Sequence, residues 1–324
     1  MIRASKHNMR MKNASIIFWS WFFFLVYLSR VVVCNNIIDQ CQPMVAPDIE
    51  VVRFASNFEY LEGEFFLHCA LGEGIDSINP NLAFGGPPPI GAQKANLDPV
   101  TANIAKEFGY QEIGQLRSVI EAAGGRGIKR PLLNLSKEVF SDIFDEAIGF
   151  KLEPRFDPYS NSINFLLAAN MFPYTGLVGL VGATPLLLLP QSRKLAASLL
   201  GAESGQNAVI RTLLYQRANE TVDPYNITVA EFTNLTSTLA NKLGKCGLRD
   251  EGIMVPLSLG AENRTESNIL AADVNSRSYS RTVRELLRIL YGSGSESKVG
   301  AFFPKGANGL IARSFLIGRE DPIM

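Results

Sequence analysis

Residues 108–119 read FGYQEIGQLRSV and residues 202–214 read AESGQNAVIRTLL, and both contain Glu-x-x-Gln, at Glu112 to Gln115 and at Glu203 to Gln206. Side chains three residues apart on an α-helix project to one side. In the first segment that side also carries Ile104, Phe108 and Val119; in the second it carries Leu199, Leu200, Ile210 and Leu213. A carboxylate on a core-facing stripe is costly unless it is protonated, paired or bound to a cation. Two such pairs therefore point to a polar space inside an otherwise apolar packing of helices.

Outward from these segments the chain continues to read as helix. Phe54, Phe58, Leu61, Phe65 and Cys69 recur at close to the helical period, which predicts an amphipathic first helix over 48–72. This helix brings Glu59 and Glu62 toward the same interior, and the spacing leaves open which of the two faces inward. The second helix opens with Asp98 as N-cap and Pro99 at the first helical position, and runs to Gly124 and Gly125. Between them, GGPPPIGAQKANLDP at 85–99 combines flexible glycines with three consecutive prolines and is expected to form an ordered packing loop or lid. A long connection follows, broken by Pro131, Pro154 and Pro158, with room for one short helix after Ser136. The third helix, 161–183, is apolar and uncharged, with a kink expected near Pro173. Its composition resembles a membrane span, but Asn170 and two prolines suit a protein interior better than lipid. The fourth helix covers 192–218, a fifth starts after Thr228 and ends near Gly244, and a weaker helical stretch spans 280–291.

The order helix, loop, helix, long crossover, helix, short link, helix is the wiring of a ferritin-like four-helix bundle. The expected fold is thus all-α, with a long B–C crossover, an extra helix and an irregular C-terminal extension. The bundle is placed at 48–245 and the extension, packing on it, at 246–324. Di-iron bundles use a Glu from each of two helices and Glu-x-x-His from each of the other two. Here Gln115 and Gln206 stand at the histidine positions, and the third helix offers no carboxylate, only the side-chain oxygens of Asn164 and Asn170 besides hydroxyls. Two readings remain. In one, Glu59 or Glu62, Glu112 and Glu203 converge with the Gln carbonyls into an all-oxygen site for a hard cation such as calcium, magnesium or manganese. In the other no cofactor is held, and the Gln amides donate to the carboxylates with protonation, Arg117 and Arg211 compensating their charge.

The 324 residues are 47% hydrophobic, ample for a large core, and 31 Lys plus Arg balance 31 Asp plus Glu. No basic block draws the chain to nucleic acid, which is not expected as a partner. Arg10 and Lys12 precede an apolar run from Ile16 to Leu28, which reads as a signal peptide over 1–34; an uncleaved anchor is the alternative, because Val31 to Val33 resume the run. Five sequons, at Asn134, Asn219, Asn226, Asn234 and Asn263, agree with a secreted glycoprotein free of the membrane once the leader is removed. Of the four cysteines, Cys34 leaves with such a leader and Cys69 lies on an apolar face as a buried free thiol, so a Cys41 to Cys246 bridge is compatible with the count. His68 and His7 are the only histidines, which excludes a multi-histidine metal site in the mature chain.

The stretches NFEYLEGEFF at 57–66, GGPPPIGAQKANLDP at 85–99, FGYQEIGQLR at 108–117, FDPY at 156–159, AESGQNAVIRTLLYQRA at 202–218, YNITVAEFTN at 225–234 and FFPKGANG at 302–309 resemble the plant desiccation-related protein family. The resemblance covers nearly all of the mature chain. It implies a ferritin-like protein secreted to the apoplast or cell wall and associated with water-deficit stress. In that family Glu-x-x-His can occur on the second helix, so Gln115 departs from the pattern. The expectation is a stress-related secreted protein with a degenerate di-metal site and no catalysis, its partners being cell-wall components or further copies of itself. The alternative is a Mn, Fe or Ca binding or redox protein using the buried carboxylates.

Overall fold

The computed structural model describes residues 40–316 and divides the chain into units 1–42 and 43–324. The leader read at 1–34 lies outside the described residues. All elements below belong to the second unit. Helix α1 spans Asp48–Leu71 and is followed by the single turn α2, Ile75–Ile78, and by α3, Pro99–Ala122. The crossover contains α4, Lys137–Ile148; then come α5, Ser162–Ala169, α6, Met171–Ala183, and α7, Pro190–Tyr215. A two-residue hairpin, β1 Thr221–Val222 paired antiparallel with β2 Ile227–Thr228, leads into α8, Val229–Gly244. Helices α9, Val283–Leu290, and α10, Leu310–Ser314, punctuate an extension that is otherwise irregular.

Helices α1, α3, α5–α6 and α7 form the bundle. The caps read from sequence are present: Asp98 accepts from the N–H groups of Val100 and Thr101 at 3.0 Å each, and Thr228 accepts from that of Glu231 at 3.2 Å. Helix α1 departs from its amphipathic reading. Every residue from Ser56 to Leu67 is buried, because the Pro-rich loop and the C-terminal extension cover the face that an isolated bundle would leave to water. Asn57 is an anchor for that cover, donating to the carbonyl of Asn308 and accepting from its N–H. Helices α1 and α3 approach closely where glycine permits it. A Cβ on Gly109 would stand 2.8 Å from Leu67, and one on Gly63 would stand 3.3 Å from the Glu112 Cβ.

The kink expected at Pro173 falls three residues earlier, at Asn170, between α5 and α6. Pro173 is still its cause, since it lacks the N–H that would reach the carbonyl of Ala169. The stretch Ser162–Leu186 is long and apolar enough to cross a membrane, yet 72% of its most apolar window is buried inside the protein, so its apolar surface is used in packing. Phe65 is stacked on Phe165 at 5.6 Å and meets Phe172 edge-on at 5.0 Å, while Phe302 of the extension packs on Phe172 at 5.1 Å. Each such ring contributes roughly 2–3 kcal/mol through burial, so the extension closes the same core as the bundle. Arg211, fully buried on α7, donates to the carbonyls of Glu251, Gly252, Asn268 and Ile269 and ties the extension to the bundle. Cys41 and Cys246 each take part in a disulfide, and Cys69 is free and buried.

Candidate metal centre

Three helices of the bundle each turn an i, i+3 pair of polar residues inward: Glu59 and Glu62 from α1, Glu112 and Gln115 from α3, Glu203 and Gln206 from α7. All six are buried, with Glu112 wholly inaccessible and Gln115 the most exposed at 8%. The choice between Glu59 and Glu62 left open by the sequence is resolved in favour of both. One carboxylate oxygen from each of Glu59, Glu112 and Glu203 lies within 4.8 Å of the others. Glu62 stands beside them: a Cβ built on Gly176 of α6 would meet Glu203 Oε2 at 2.9 Å and Glu62 Oε1 at 3.2 Å.

That glycine is what the third bundle helix contributes. Asn164, an oxygen the sequence offered, instead donates to the Asp157 carbonyl and to Ser160 Oγ in the crossover. Asn170, the other, lines a separate space with Thr236 and Asp250. Neither joins the carboxylates. The cations expected to compensate them do not join either. Arg117 is exposed, Arg211 is committed to backbone carbonyls of the extension, and among the described residues no Lys, Arg or His forms an ion pair with any of the four glutamates. Sequence position placed Arg211 on the right helix, but its side chain points at the opposite neighbour.

The electrostatic consequence follows from burial without counter-charge. Desolvation, reinforced by the neighbouring carboxylates, pushes Glu59, Glu62 and Glu203 well above the usual range. Glu112 rises only to about 7, because hydrogen bonds from Glu59, Gln206 and Gln115 stabilise its anion against desolvation. The Gln206 amide donates to Glu112 Oε1 at 2.6 Å and the Gln115 amide donates to the same oxygen at 3.0 Å. Burial thus favours the neutral form of Glu59 more than that of Glu112.

Seven buried oxygens of the cluster have no hydrogen-bond partner: Glu59 Oε2, both Glu62 oxygens, Glu112 Oε2, Glu203 Oε2, Gln115 Oε1 and Gln206 Oε1. Buried polar atoms are nearly always satisfied, so a group of unsatisfied acceptors, beside amide donors from Gln115 and Gln206 that are given to other oxygens, fits a positively charged guest. The donor set is entirely oxygen, as hard divalent ions require. The two ends of a Gln amide are nearly isosteric, so half a turn of either side chain exchanges donor for acceptor and would present its oxygen to a cation.

The chain matches the family model described as a ferritin-like domain over residues 47–216. It is 53% identical over 270 residues, 83% of this chain and 86% of the other, to the ferritin-like catalase Nec2 of Nesocodon mauritianus. It is 48% identical over 262 residues, 81% of this chain and 83% of the other, to the desiccation-related protein PCC13-62 of Craterostigma plantagineum. No solved structure matches it. With the bundle wiring, the inward glutamates and these relatives agreeing, the chain belongs to the plant desiccation-related ferritin-like family.

Proposed function

We propose that the chain binds redox-active divalent metal, manganese or iron, at Glu59, Glu62, Glu112 and Glu203, with Gln115 and Gln206 at the margin, and disproportionates hydrogen peroxide there. The single observation that carries this reading is the set of unsatisfied, fully buried carboxylate oxygens converging from three helices with no protein cation to neutralise them. The relative named as a catalase supports the choice of peroxide. In that reaction one peroxide is oxidised to dioxygen, releasing two electrons and two protons, and a second peroxide takes both to become two waters. Bound metal supplies the reversible electron storage that this exchange needs. The protein's own part is to hold carboxylate ligands in a dry pocket and to manage protons. Glu59 and Glu112, whose carboxyls are both raised by burial and lie close together, are the groups that would accept and return a peroxide proton.

Metal analysis of the purified protein together with oxygen release from peroxide tests this. Stoichiometric Mn or Fe, lost with the activity in a Glu112→Ala, Glu203→Ala double variant, is the expected result. Metal-free native protein that none of these ions stabilises against heat would end the proposal. The donations from both Gln amides to Glu112 favour a second reading, a non-catalytic stress protein whose cluster survives as a hydrogen-bond network. The same metal inventory separates the two.

The protein is further proposed to act outside the cell. The leader read at 1–34 supports this, as do the disulfide-bonded Cys41 and Cys246, since disulfides persist in oxidising compartments. Asn219, Asn226, Asn234 and Asn263 are exposed, as glycan acceptors must be, whereas Asn134 is half-buried with its side-chain oxygen held by the Ser136 N–H. A mass shift on enzymatic deglycosylation of the native protein, confined to the four exposed sites, is expected; its absence would remove the glycoprotein assignment.

A further inference from the structure

A cavity of about 70 Å³ runs between α1, α6 and α7 and ends on Glu59 and Glu203. Its walls are Ala55, Val119, Leu180, Ala196 and Leu199, and its inner end is the only strongly polar part of the bundle that it reaches. The segment leading into α9 roofs it. Arg281 donates its N–H to the Val178 carbonyl at 2.9 Å, and a Cβ on Gly182 or Gly179 would collide with Arg281 or Leu286 respectively. The roof is therefore seated directly on the α6 backbone. At the inner end Glu59 Oε2 and Glu203 Oε2, both nearly inaccessible, have no partner, and Gly176, which also lines the cavity, lets the Glu203 carboxylate lie against the α6 backbone where a Cβ would stand 2.9 Å from it.

Volume, lining and polarity together restrict the occupant. An ion would lose its hydration against the aliphatic walls, whose polar neighbours are confined to Arg281 and Thr282 in the roof and to the glutamates at the inner end. Hydrogen peroxide, which donates and accepts hydrogen bonds at both ends, is disfavoured there for the same reason. Apolar cavities of this kind stay dry and take up small apolar guests. We infer that the cavity is a passage and holding site for dioxygen, connecting the carboxylate cluster with the surface between α1 and α7. The inference rests on the peroxide reading for the direction of flow, since dioxygen is the product to be removed, but not for the occupancy of the cavity.

The test uses the full protein with side-chain methyl groups observed by NMR under increasing dioxygen pressure. Dioxygen is paramagnetic, so it broadens the methyl signals it visits, and the measurement is made on metal-free protein because bound manganese or iron would broaden the same methyls. The signals of Val119, Leu180 and Leu199 are expected to broaden several-fold more than that of Leu214, which is buried elsewhere in the core. Ala196→Leu, which fills the cavity, should remove the excess; Ala55→Leu, at a half-buried position, gives the same readout should the first variant fail to fold. Equal broadening of cavity and other core methyls, or excess broadening that persists in both folded variants, would overturn the inference. Protein that shows the excess when metal-free, yet releases no oxygen from peroxide once loaded with manganese or iron, would defeat the proposed activity and leave the dioxygen site standing.

Discussion

Helix α1 buries glutamates on two faces and treats them in opposite ways. On one side Glu64, with no exposed surface, is ion-paired to Arg130, lies 3.4 Å from His68 Nδ1 and accepts from the Ile75 N–H. Arg130 is itself fully engaged, with Asp76 at 2.8 Å and the Pro87 and Gly86 carbonyls at 2.7 and 3.1 Å. Burial pushes the Glu64 carboxyl up and these cations pull it back. On the other side Glu59 and Glu62 face two more carboxylates with no cation from the protein. The first arrangement has its counter-charge within the fold, whereas the second, among the described residues, has none, which is what the proposed metal would supply.

Removing the counter-charge on the complete side should have the largest effect. Arg130→Met leaves Glu64 buried without its guanidinium partner, with only the Ile75 N–H and His68 beside it, and is expected to cost about 3–5 kcal/mol in urea unfolding. A loss of less than about 1 kcal/mol, the size typical of a surface pair, would erase the distinction between the two faces. On the open side the sign reverses. Glu62→Gln removes a buried acid whose ionisation burial opposes, and should stabilise metal-free protein at pH 8 by on the order of 1–3 kcal/mol while weakening metal binding. Destabilisation of the metal-free form by this variant would show that Glu62 has a partner there.

Acidity sharpens the comparison further. Glu112 is raised from its ordinary 4.5 to about 7, so between those values the folded state binds more protons than the unfolded one. Its contribution to stability is therefore fully present below about 4.5 and is lost as pH rises through about 7. Urea midpoints of metal-free protein should show this decline, and Glu112→Gln should flatten it; a variant with the same slope as wild type would assign the decline to other groups. The smallest effect belongs to a residue remote from both faces. Asp98→Ala should cost about 1 kcal/mol through loss of the α3 cap and leave metal content unchanged, as measured by elemental analysis of the folded variant.

Much of this was legible in the residues themselves, for reasons that are local. A cap such as Asp98 before Pro99, or Thr228 three residues before Glu231, satisfies its own helix end, so the signal and the structure lie within one turn. The i, i+3 spacing of Glu112 with Gln115 and of Glu203 with Gln206 fixes that each pair shares a helix face whatever the helix packs against.

What needed the tertiary structure was everything set by residues distant in the chain. Both Glu59 and Glu62 could turn inward only because α1 is enclosed on all sides, the far side covered by a loop and an extension that follow it in sequence. Arg211 sits on the helix that carries Glu203, yet its partners are carbonyls some 40 to 58 residues further on. Gly176 shows no chemistry as a letter; its role is the close approach it allows the Glu62 and Glu203 carboxylates to the α6 backbone. Periodicity determines which side of a helix is polar, but whether a buried charge finds a partner depends on which distant segment folds against it, and here that decided between a salt bridge and an open site.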